Sequence, residues 1–570
     1  MFRYIIKNLR ELLTREQPNI LAASAGMMVL VFGTKVIGLF TKTAAVSQLG
    51  AENYGIFIAA NTLPEILSTL FIFGTITSVI IPILVDELST KGKGSFDRLF
   101  SSIVNTGLLL FIGMSILIAL LAGKIMPFVI ERVAQPVEPF SQEQISQITL
   151  MLRLLLIPQV ILGVSSLISS ALNTFKRFII PQLAPLFYNL GILFGALVLI
   201  PASNGTSWGL AWGSLIGAIL HLAIQIPLSS HLNINYRLTI GIASDKMKDI
   251  FVRALPRIIA LAADQIALGI DRIIAIGLGA SALGAYHLAV SLVSIPFSLF
   301  SNTFSVAALP HLSIKYAEKN MTDFKRIFSK VFNQILFLTV PVGMVLLVLR
   351  LPIVRLLYGI IGNEFTWENT LMVAWVVFFF SLGLIPEVLG VFLSRAFYSI
   401  QDTVRPLFVG LYVVVGGITT GILFSNYFSH FHTFSLKALV WNPEFFLSKG
   451  DGVAAVGGLA LSSSLIYSSS FLLLLLLFIK KIGSLNRRDF WISALRKIVF
   501  GLIMAFIMYF LLKLWDEVLD TARTVNVFIL TISTIVPGLC IYFWLVYIFK
   551  DPEIAVLSKL IGIIRKVFTI

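Results

Sequence analysis

Cysteine and charge are both scarce in this chain. A single cysteine, Cys540, occurs in 570 residues and lies inside an apolar run, which excludes a disulfide framework and a thiolate metal site. Charged residues make up 12% of the chain against 57% hydrophobic residues, and the mean hydropathy is +0.94. A soluble domain does not need so apolar a composition, so the sequence predicts a polytopic membrane protein.

The common catalytic and nucleotide-binding motifs are absent as well. The sequence contains no Walker A loop, no paired metal-binding histidines at helical spacing, no nucleophile elbow and no Gly-rich dinucleotide turn, so it predicts neither an enzyme nor an organic cofactor. Transport would then run on an ion gradient, on the membrane potential or on the gradient of the substrate. The net charge of +15 resides mainly in loops between apolar runs, which indicates membrane topology and not nucleic-acid binding.

Fourteen apolar runs are long enough to cross a bilayer, which predicts an all-α protein with fourteen transmembrane helices. They begin near residues 20, 55, 102, 149, 180, 207, 251, 284, 329, 370, 404, 452, 491 and 524. One set of alternate loops is basic and contains Lys91, Lys93, Arg98, Lys176, Arg177, Arg237, Lys246, Lys248, Lys315, Lys319, Lys325, Arg326, Lys480, Lys481, Arg487 and Arg488. The other loops are short, neutral or acidic. The positive-inside rule therefore places the basic loops and both termini in the cytoplasm.

An internal repeat organises these helices. Residues 171–181 and 396–406 each begin with alanine at the end of a span and finish with proline, and Pro82 and Pro310 form a second pair at nearly the same separation. Because the paired spans are six apart, both copies have the same orientation, which predicts two parallel six-helix lobes plus two extra C-terminal helices. The predicted parts are a cytoplasmic segment 1–19, an N-lobe 20–232, a linker 233–250, a C-lobe 251–480 with an extracytoplasmic loop 425–451, and a C-terminal part 481–570.

Two lysines within the first predicted span carry the main functional signal. Lys35 and Lys42 are seven residues apart, with Gly38 between them and Thr34 and Thr41 alongside, so both ammonium groups fall on one helix face. A charge at mid-membrane depth costs about 3 kcal/mol or more and marks a pathway or a substrate site. The alternative is that each lysine extends to the interface or pairs with an acid such as Glu65.

Acidic residues in the predicted spans are candidates for ion coupling. Asp264 and Asp271 are again seven apart, on predicted span 7, and Glu65 lies on span 2. These carboxylates would suit a coupling cation, Na⁺ or H⁺. In the alternative, Asp271 forms a local ion pair with Arg272, and Glu65, which follows Pro64, hydrogen-bonds a broken helix. The His430 and His432 pair lacks a third ligand nearby, which favours an aromatic interfacial loop over a metal site.

Several segments resemble the MurJ (MviN) lipid II flippase family of the multidrug/oligosaccharidyl-lipid/polysaccharide exporter superfamily. They are A-L-N-T-F-K-R-F-I-I-P-Q-L-A-P-L-F-Y-N from Ala171, G-L-A-W-G-S-L-I-G-A-I-L from Gly209, D-R-I-I-A-I-G-L from Asp271, L-Y-G-I-I-G-N-E-F from Leu357 and R-A-F-Y-S-I-Q-D-T-V-R-P from Arg395. The resemblance implies fourteen helices, alternating access, and a cationic cavity that takes the pyrophosphate of an undecaprenyl-linked peptidoglycan precursor to the outer leaflet. The implied partners are this lipid and membrane lipids, with a monomeric transport unit.

The resemblance also implies which residues bind the substrate. Lys35 matches the first basic position of the family motif in span 1, and the second falls at Thr41, with Lys42 one residue on. The basic positions of spans 2 and 8 are Ser68 and Ser291 here. A sodium-binding aspartate of some family members corresponds to Asp264 or Asp271. The alternatives are a lipid-linked polysaccharide exporter, a drug antiporter, and a glycosyl transferase that uses Glu444 or Asp451.

Overall fold

The structure, a computed structural model, describes most of the chain and is helical wherever it describes regular structure. The described residues are 20–69, 80–134, 136, 139–175, 177–232, 234–238, 269–360, 364–430, 452–483, 485 and 487–554. Within them, eleven helices are long and apolar enough to cross a membrane, which confirms an all-α polytopic membrane protein. They correspond to eleven of the fourteen predicted spans. Two of the remaining three, which begin near residues 20 and 55, lie in one long helix. The third begins near residue 251, among residues that are not described.

We number the helices in chain order. They are α1 (Ile20–Ser68), α2 (Ile81–Lys91), α3 (Lys93–Pro127), α4 (Gln142–Thr174), α5 (Ile179–Phe194), α6 (Trp208–Ala223), α7 (Ile226–His231), α8 (Ala280–Ala317), α9 (Met321–Tyr358), α10 (Trp367–Ser399), α11 (Val404–His430), α12 (Gly452–Ile482), α13 (Arg487–Val518) and α14 (Thr524–Ile548). Short π-helical segments, Phe128–Ala134 and Gly195–Leu199, continue α3 and α5. Residues 269–277 form a further helical stretch before α8.

The chain divides into two compact units. One comprises Met1–Gly284 and Ile361–Thr366, and the other comprises Ala285–Ile360 and Trp367–Ile570. The predicted segment 1–19, most of the linker 233–250 and most of the loop 425–451 lie outside the described residues. The lobe boundaries of the sequence analysis therefore stay predictions.

In the first unit, α1 is broken at Gly50 and its second half packs closely against residues 269–284. The backbone of Gly50 has φ 67° and ψ −178°, in the region that favours glycine. A Cβ on Gly55 would lie 1.9 Å from the carbonyl oxygen of Ala280, and one on Gly284 would lie 2.1 Å from that of Ala51. Residue numbers rise along one stretch and fall along the other from one contact to the next, so the two stretches are antiparallel. Their backbones approach so closely that a side chain at either glycine would prevent the contact.

The two copies of the predicted repeat form the same corner. The amide of Arg177 donates to the carbonyl of Leu172 at 3.0 Å, and the amide of Asp402 donates to that of Phe397 at 3.0 Å. Both hydrogen bonds close a helix end before the next helix starts, at positions that the sequence repeat pairs with each other. The corner thus supports an internal repeat at the positions that the sequence predicts, and the parallel orientation of its copies stays a prediction.

The two C-terminal helices pack against α9 in the second unit. The hydroxyl of Tyr542 on α14 donates to the carbonyl of Phe337 at 3.1 Å, and Phe337 contacts the ring of Phe543. On α13, Phe490 lies against Phe332 with ring centroids 5.0 Å apart. These helices are therefore anchored by aromatic packing and by a buried polar contact to α9.

Candidate functional site

The lysine face of α1 lies beside the face that packs on α5. The side-chain amide of Asn189 donates to the carbonyl of Thr34 at 3.3 Å and is the nearest group to Gly38. Thr41 is buried and donates to the carbonyl of Ile37 at 2.9 Å. Since successive residues turn by about 100°, Lys35 and Lys42 lie on the helix face next to the one that contacts α5.

The two lysines differ in exposure. Lys35 is exposed and Lys42 is half-buried. Lys42 interacts electrostatically with Glu65, Lys35 and Arg272, so a group of charges lies within interaction range at this part of the first unit. The electrostatic interaction with Lys35 is repulsive, and holding two ammonium groups near each other favours the arrival of an anion.

Glu65, on the second half of α1, pairs with Arg272 in the helical stretch 269–277. One guanidinium nitrogen, Nη1, lies 3.0 Å from Oε2 and the other, Nη2, lies 3.1 Å from Oε1. The pair is bidentate, which is the strongest geometry for an arginine and a carboxylate. The arginine side chain is 17% exposed and the glutamate side chain 42% exposed, so the pair is accessible on its carboxylate side.

Sequence reasoning missed this pair. It considered Glu65 as a partner of the lysines or as a local helix contact, and Arg272 as a partner of Asp271. Glu65 and Arg272 are 207 residues apart, and their contact depends on the antiparallel register of α1 and 269–284. The one available signal was that both are ionisable residues in apolar runs.

The two serines predicted to bind substrate use their hydroxyl protons within their own helices. Ser68 donates to the carbonyl of Glu65 at 3.0 Å, and Ser291 donates to that of His287 at 2.6 Å. Ser68 lies in the first unit with Lys35, Lys42 and Thr41, whereas Ser291 lies in the second. Contact of either serine with a substrate stays a prediction.

Asp271 is half-buried, next in sequence to Arg272. Asp264 lies outside the described residues, so the predicted carboxylate face on span 7 stays a prediction, as does the coupling cation. Among the described residues of the first unit, the group around Lys42 thus combines three cations, Lys35, Lys42 and Arg272, with the carboxylate of Glu65. A positive excess within a membrane-embedded unit can hold an anion that would not otherwise enter hydrocarbon.

Comparison with known proteins places these features in context. Residues 45–436 match the family model described as lipid II flippase MurJ. A protein of Buchnera aphidicola subsp. Acyrthosiphon pisum (strain APS), named probable lipid II flippase MurJ, is 24% identical over 86% of this chain and 89% of its own length. The lipid II flippase MurJ of Burkholderia cenocepacia is 22% identical over 67% of this chain and 74% of its length.

Solved structures show the same fold. The structure of the lipid II flippase MurJ in an inward closed conformation aligns with a TM-score of 0.70 at 20% identity, covering 92% of this chain and 98% of that one. An inward-facing multidrug resistance transporter of the MATE family, in the MOP superfamily, aligns with a TM-score of 0.55 at 14% identity, covering 82% and 96%. At these identities the structural likeness bears on the fold.

Proposed function

This chain belongs to the lipid II flippase MurJ family, and from that premise we propose that it translocates lipid II across the membrane with Lys35 and Lys42 as ligands of the pyrophosphate. The activity is transport. The family match over most of the chain supports lipid II as the substrate, and it does not support the alternative of a lipid-linked polysaccharide exporter.

The physical difficulty of this reaction is the headgroup. A pyrophosphate carries about two negative charges and cannot cross hydrocarbon unaided, whereas the polyprenyl tail can stay in lipid. A carrier must therefore supply positive charge along the path and expose it to one leaflet at a time. Ammonium groups do this as point charges that tolerate several orientations of the phosphates.

The observation that carries the proposal is the lysine face of α1. Lys35 is exposed and Lys42 half-buried, on one face of a helix whose neighbouring face packs on α5. An ammonium group that only neutralised a buried acid would not need to be exposed. The positive excess around Lys42 is instead suited to a ligand that brings its own negative charge.

The remaining parts of the cycle follow from the same proposal. We place the protein in the cytoplasmic membrane with both termini in the cytoplasm, acting as a monomer. The lipid enters from the cytoplasmic leaflet and leaves to the outer leaflet by alternating access between two lobes. Asp271 and Asp264 are the candidates for coupling this cycle to Na⁺ or H⁺.

A leaflet assay with labelled lipid II in proteoliposomes tests the proposal. We expect Lys35→Ala and Lys42→Ala each to slow translocation at least tenfold, because a hydrogen bond to a charged partner contributes about 1.5 to 3 kcal/mol. Lys124→Ala, which removes an exposed lysine at the far end of α3, is the matched control and should keep the wild-type rate. Failure of the wild-type protein to move lipid II, or full activity of both lysine variants, would contradict the proposal.

A further inference from the structure

The pair between Glu65 and Arg272 has a geometry that a phosphate reproduces. The carboxylate offers two oxygens to the two terminal nitrogens of the guanidinium, at 3.0 and 3.1 Å. A phosphate group offers two oxygens at similar spacing and accepts the same fork of donors. Glu65 therefore occupies the edge of Arg272 that would bind a phosphate.

The surroundings favour exchange over a permanent bond. Glu65 is 42% exposed, so an anion that approaches from its open side can reach the pair. Its Oε2 also accepts from the side-chain amide of Asn61 at 3.3 Å, and Lys42 lies within electrostatic range. A carboxylate displaced from Arg272 would thus keep a hydrogen-bond donor and a positive charge nearby, which lowers the cost of leaving the guanidinium.

We propose, resting on the function proposed above, that Arg272 is a pyrophosphate ligand and that Glu65 is an internal anion that holds it until the lipid arrives. The lipid's phosphate displaces the carboxylate from the guanidinium, while Lys35 and Lys42 neutralise the remaining charge. No bond is made or broken in this step beyond hydrogen bonds and ion pairs. The three cations of the site, Lys35, Lys42 and Arg272, then balance the roughly two negative charges of the pyrophosphate together with the carboxylate of Glu65.

The exchange also affects the helices that carry the pair. Glu65 lies on the second half of α1 and Arg272 on the stretch that packs antiparallel to it. Backbone contacts at Gly55 and Gly284 hold these stretches together at one end, and the ion pair links them at the other. Arrival of the lipid removes this polar link without disturbing the glycine contacts, so substrate binding is transmitted to the relative position of two helices.

The direction in which Glu65→Gln changes substrate affinity distinguishes this mechanism from a purely structural ion pair. Glu65→Gln keeps the size and one hydrogen-bond acceptor but removes the competing charge, so it should bind undecaprenyl pyrophosphate at least threefold more tightly than the wild type. Arg272→Gln should bind it at least tenfold more weakly than the wild type. Arg272→Lys should bind it more tightly than Arg272→Gln but less tightly than the wild type. If the pair only stabilised the fold, Glu65→Gln would weaken binding or leave it unchanged.

The measurement is a titration of the purified full-length protein in detergent with undecaprenyl pyrophosphate, with thermal unfolding followed in parallel. Arg153→Gln is the control, because Arg153 is an exposed arginine of the same unit that donates to the carbonyl of Ala119, and it should bind as the wild type does. Weaker or unchanged binding by Glu65→Gln overturns the exchange even if Arg272→Gln does not fold. If Lys35→Ala loses binding while Glu65→Gln does not bind more tightly than the wild type, this inference is rejected and the proposed function is not. If the wild type does not bind undecaprenyl pyrophosphate, the proposed function is rejected.

Discussion

Each of the two units contains a group of opposite charges, and the two groups differ in exposure and in balance. In the first unit, the Glu65 side chain is 42% exposed and Lys35 is exposed. In the second, Lys497 on α13 is fully buried, with its Nζ 3.0 Å from Oδ2 of Asp551 and 3.2 Å from Oε2 of Glu553. The first group has an excess of cations and the second an excess of carboxylates.

The ammonium group of Lys497 uses all its hydrogen-bond donors within the protein. Besides the two carboxylates, its ammonium group donates to Oδ1 of Asn333 at 3.2 Å and to Oγ of Ser493 at 2.6 Å. Every proton of the ammonium group thus has an acceptor inside the protein. A saturated, buried group fixes α13 and the end of α14 to α9, whereas an exposed group with surplus charge is suited to binding.

The largest expected effect is that substitution of Lys497 lowers stability and substitution of Lys35 lowers transport. Lys497→Met should lower the free energy of unfolding by about 3 to 5 kcal/mol, because it leaves two buried carboxylates without their cation. Lys35→Met should leave stability unchanged and abolish most lipid II translocation. Thermal unfolding in detergent and the leaflet assay, applied to both variants, give the two readouts.

Activity per folded molecule decides how this comparison is interpreted. Lys497→Met protein that remains folded should translocate lipid II at the wild-type rate. A tenfold slower rate in that folded fraction would place Lys497 in the transport cycle, and the contrast between the two groups would be lost.

A second prediction concerns replacement of each whole group by apolar residues. The triple variant Lys497→Met, Asp551→Leu and Glu553→Leu should recover most of the stability lost in Lys497→Met, because a buried ion pair replaced by packed apolar side chains is often neutral or stabilising by about 1 to 4 kcal/mol. The double variant Glu65→Leu and Arg272→Leu should fold but transport at least tenfold more slowly. Unfolding curves and the leaflet assay again separate the outcomes, and a triple variant less stable than Lys497→Met would contradict the structural role.

A third prediction uses the excess carboxylate of the second group. Burial, together with its hydrogen bond to Asp551, raises the pKa of Glu553 to about 7 from 4.5. The folded state therefore binds more protons than the unfolded state between about pH 4.5 and 7, so the contribution of Glu553 to the free energy of unfolding falls as pH rises through that window. The expected loss is about 1 to 3 kcal/mol, measured as unfolding temperature against pH.

Comparison with Glu553→Gln isolates this contribution, because the amide does not titrate. The difference in unfolding temperature between wild type and Glu553→Gln should change across pH 4.5 to 7 and level off above it. A constant difference between wild type and Glu553→Gln would show that Glu553 does not titrate in this range.

The sequence predicts the features that depend on local pattern. Apolar length locates eleven helices that the structure describes as spans, and the repeat locates two equivalent corners, at Arg177 and Asp402. The spacing of Lys35 and Lys42 places them on one helix face without any knowledge of neighbours. Each of these features follows from periodicity or composition within a short segment.

Contacts between distant helices cannot be read in the same way. Glu65 and Arg272 are 207 residues apart, and Lys497 and Asp551 are 54 apart. Which charges meet depends on the rotation and register of packed helices, and these are set by contacts such as that of Gly55 with Ala280. From the sequence, Arg272 could be assigned only to its neighbour Asp271, because its contact with Glu65 depends on that rotation and register.

The smallest expected effect concerns the serines at two positions where the family resemblance implies a basic residue. Ionised phosphate oxygens only accept hydrogen bonds, and the single hydroxyl proton of Ser68 is donated to the carbonyl of Glu65 at 3.0 Å. Ser68→Ala and Ser291→Ala should therefore change the rate of lipid II translocation by less than about twofold, since each hydroxyl proton is already donated to a carbonyl of its own helix. A tenfold loss in either variant, at unchanged unfolding temperature, would mean that the hydroxyl turns to the lipid during the cycle, and the cationic site would then extend beyond Lys35, Lys42 and Arg272.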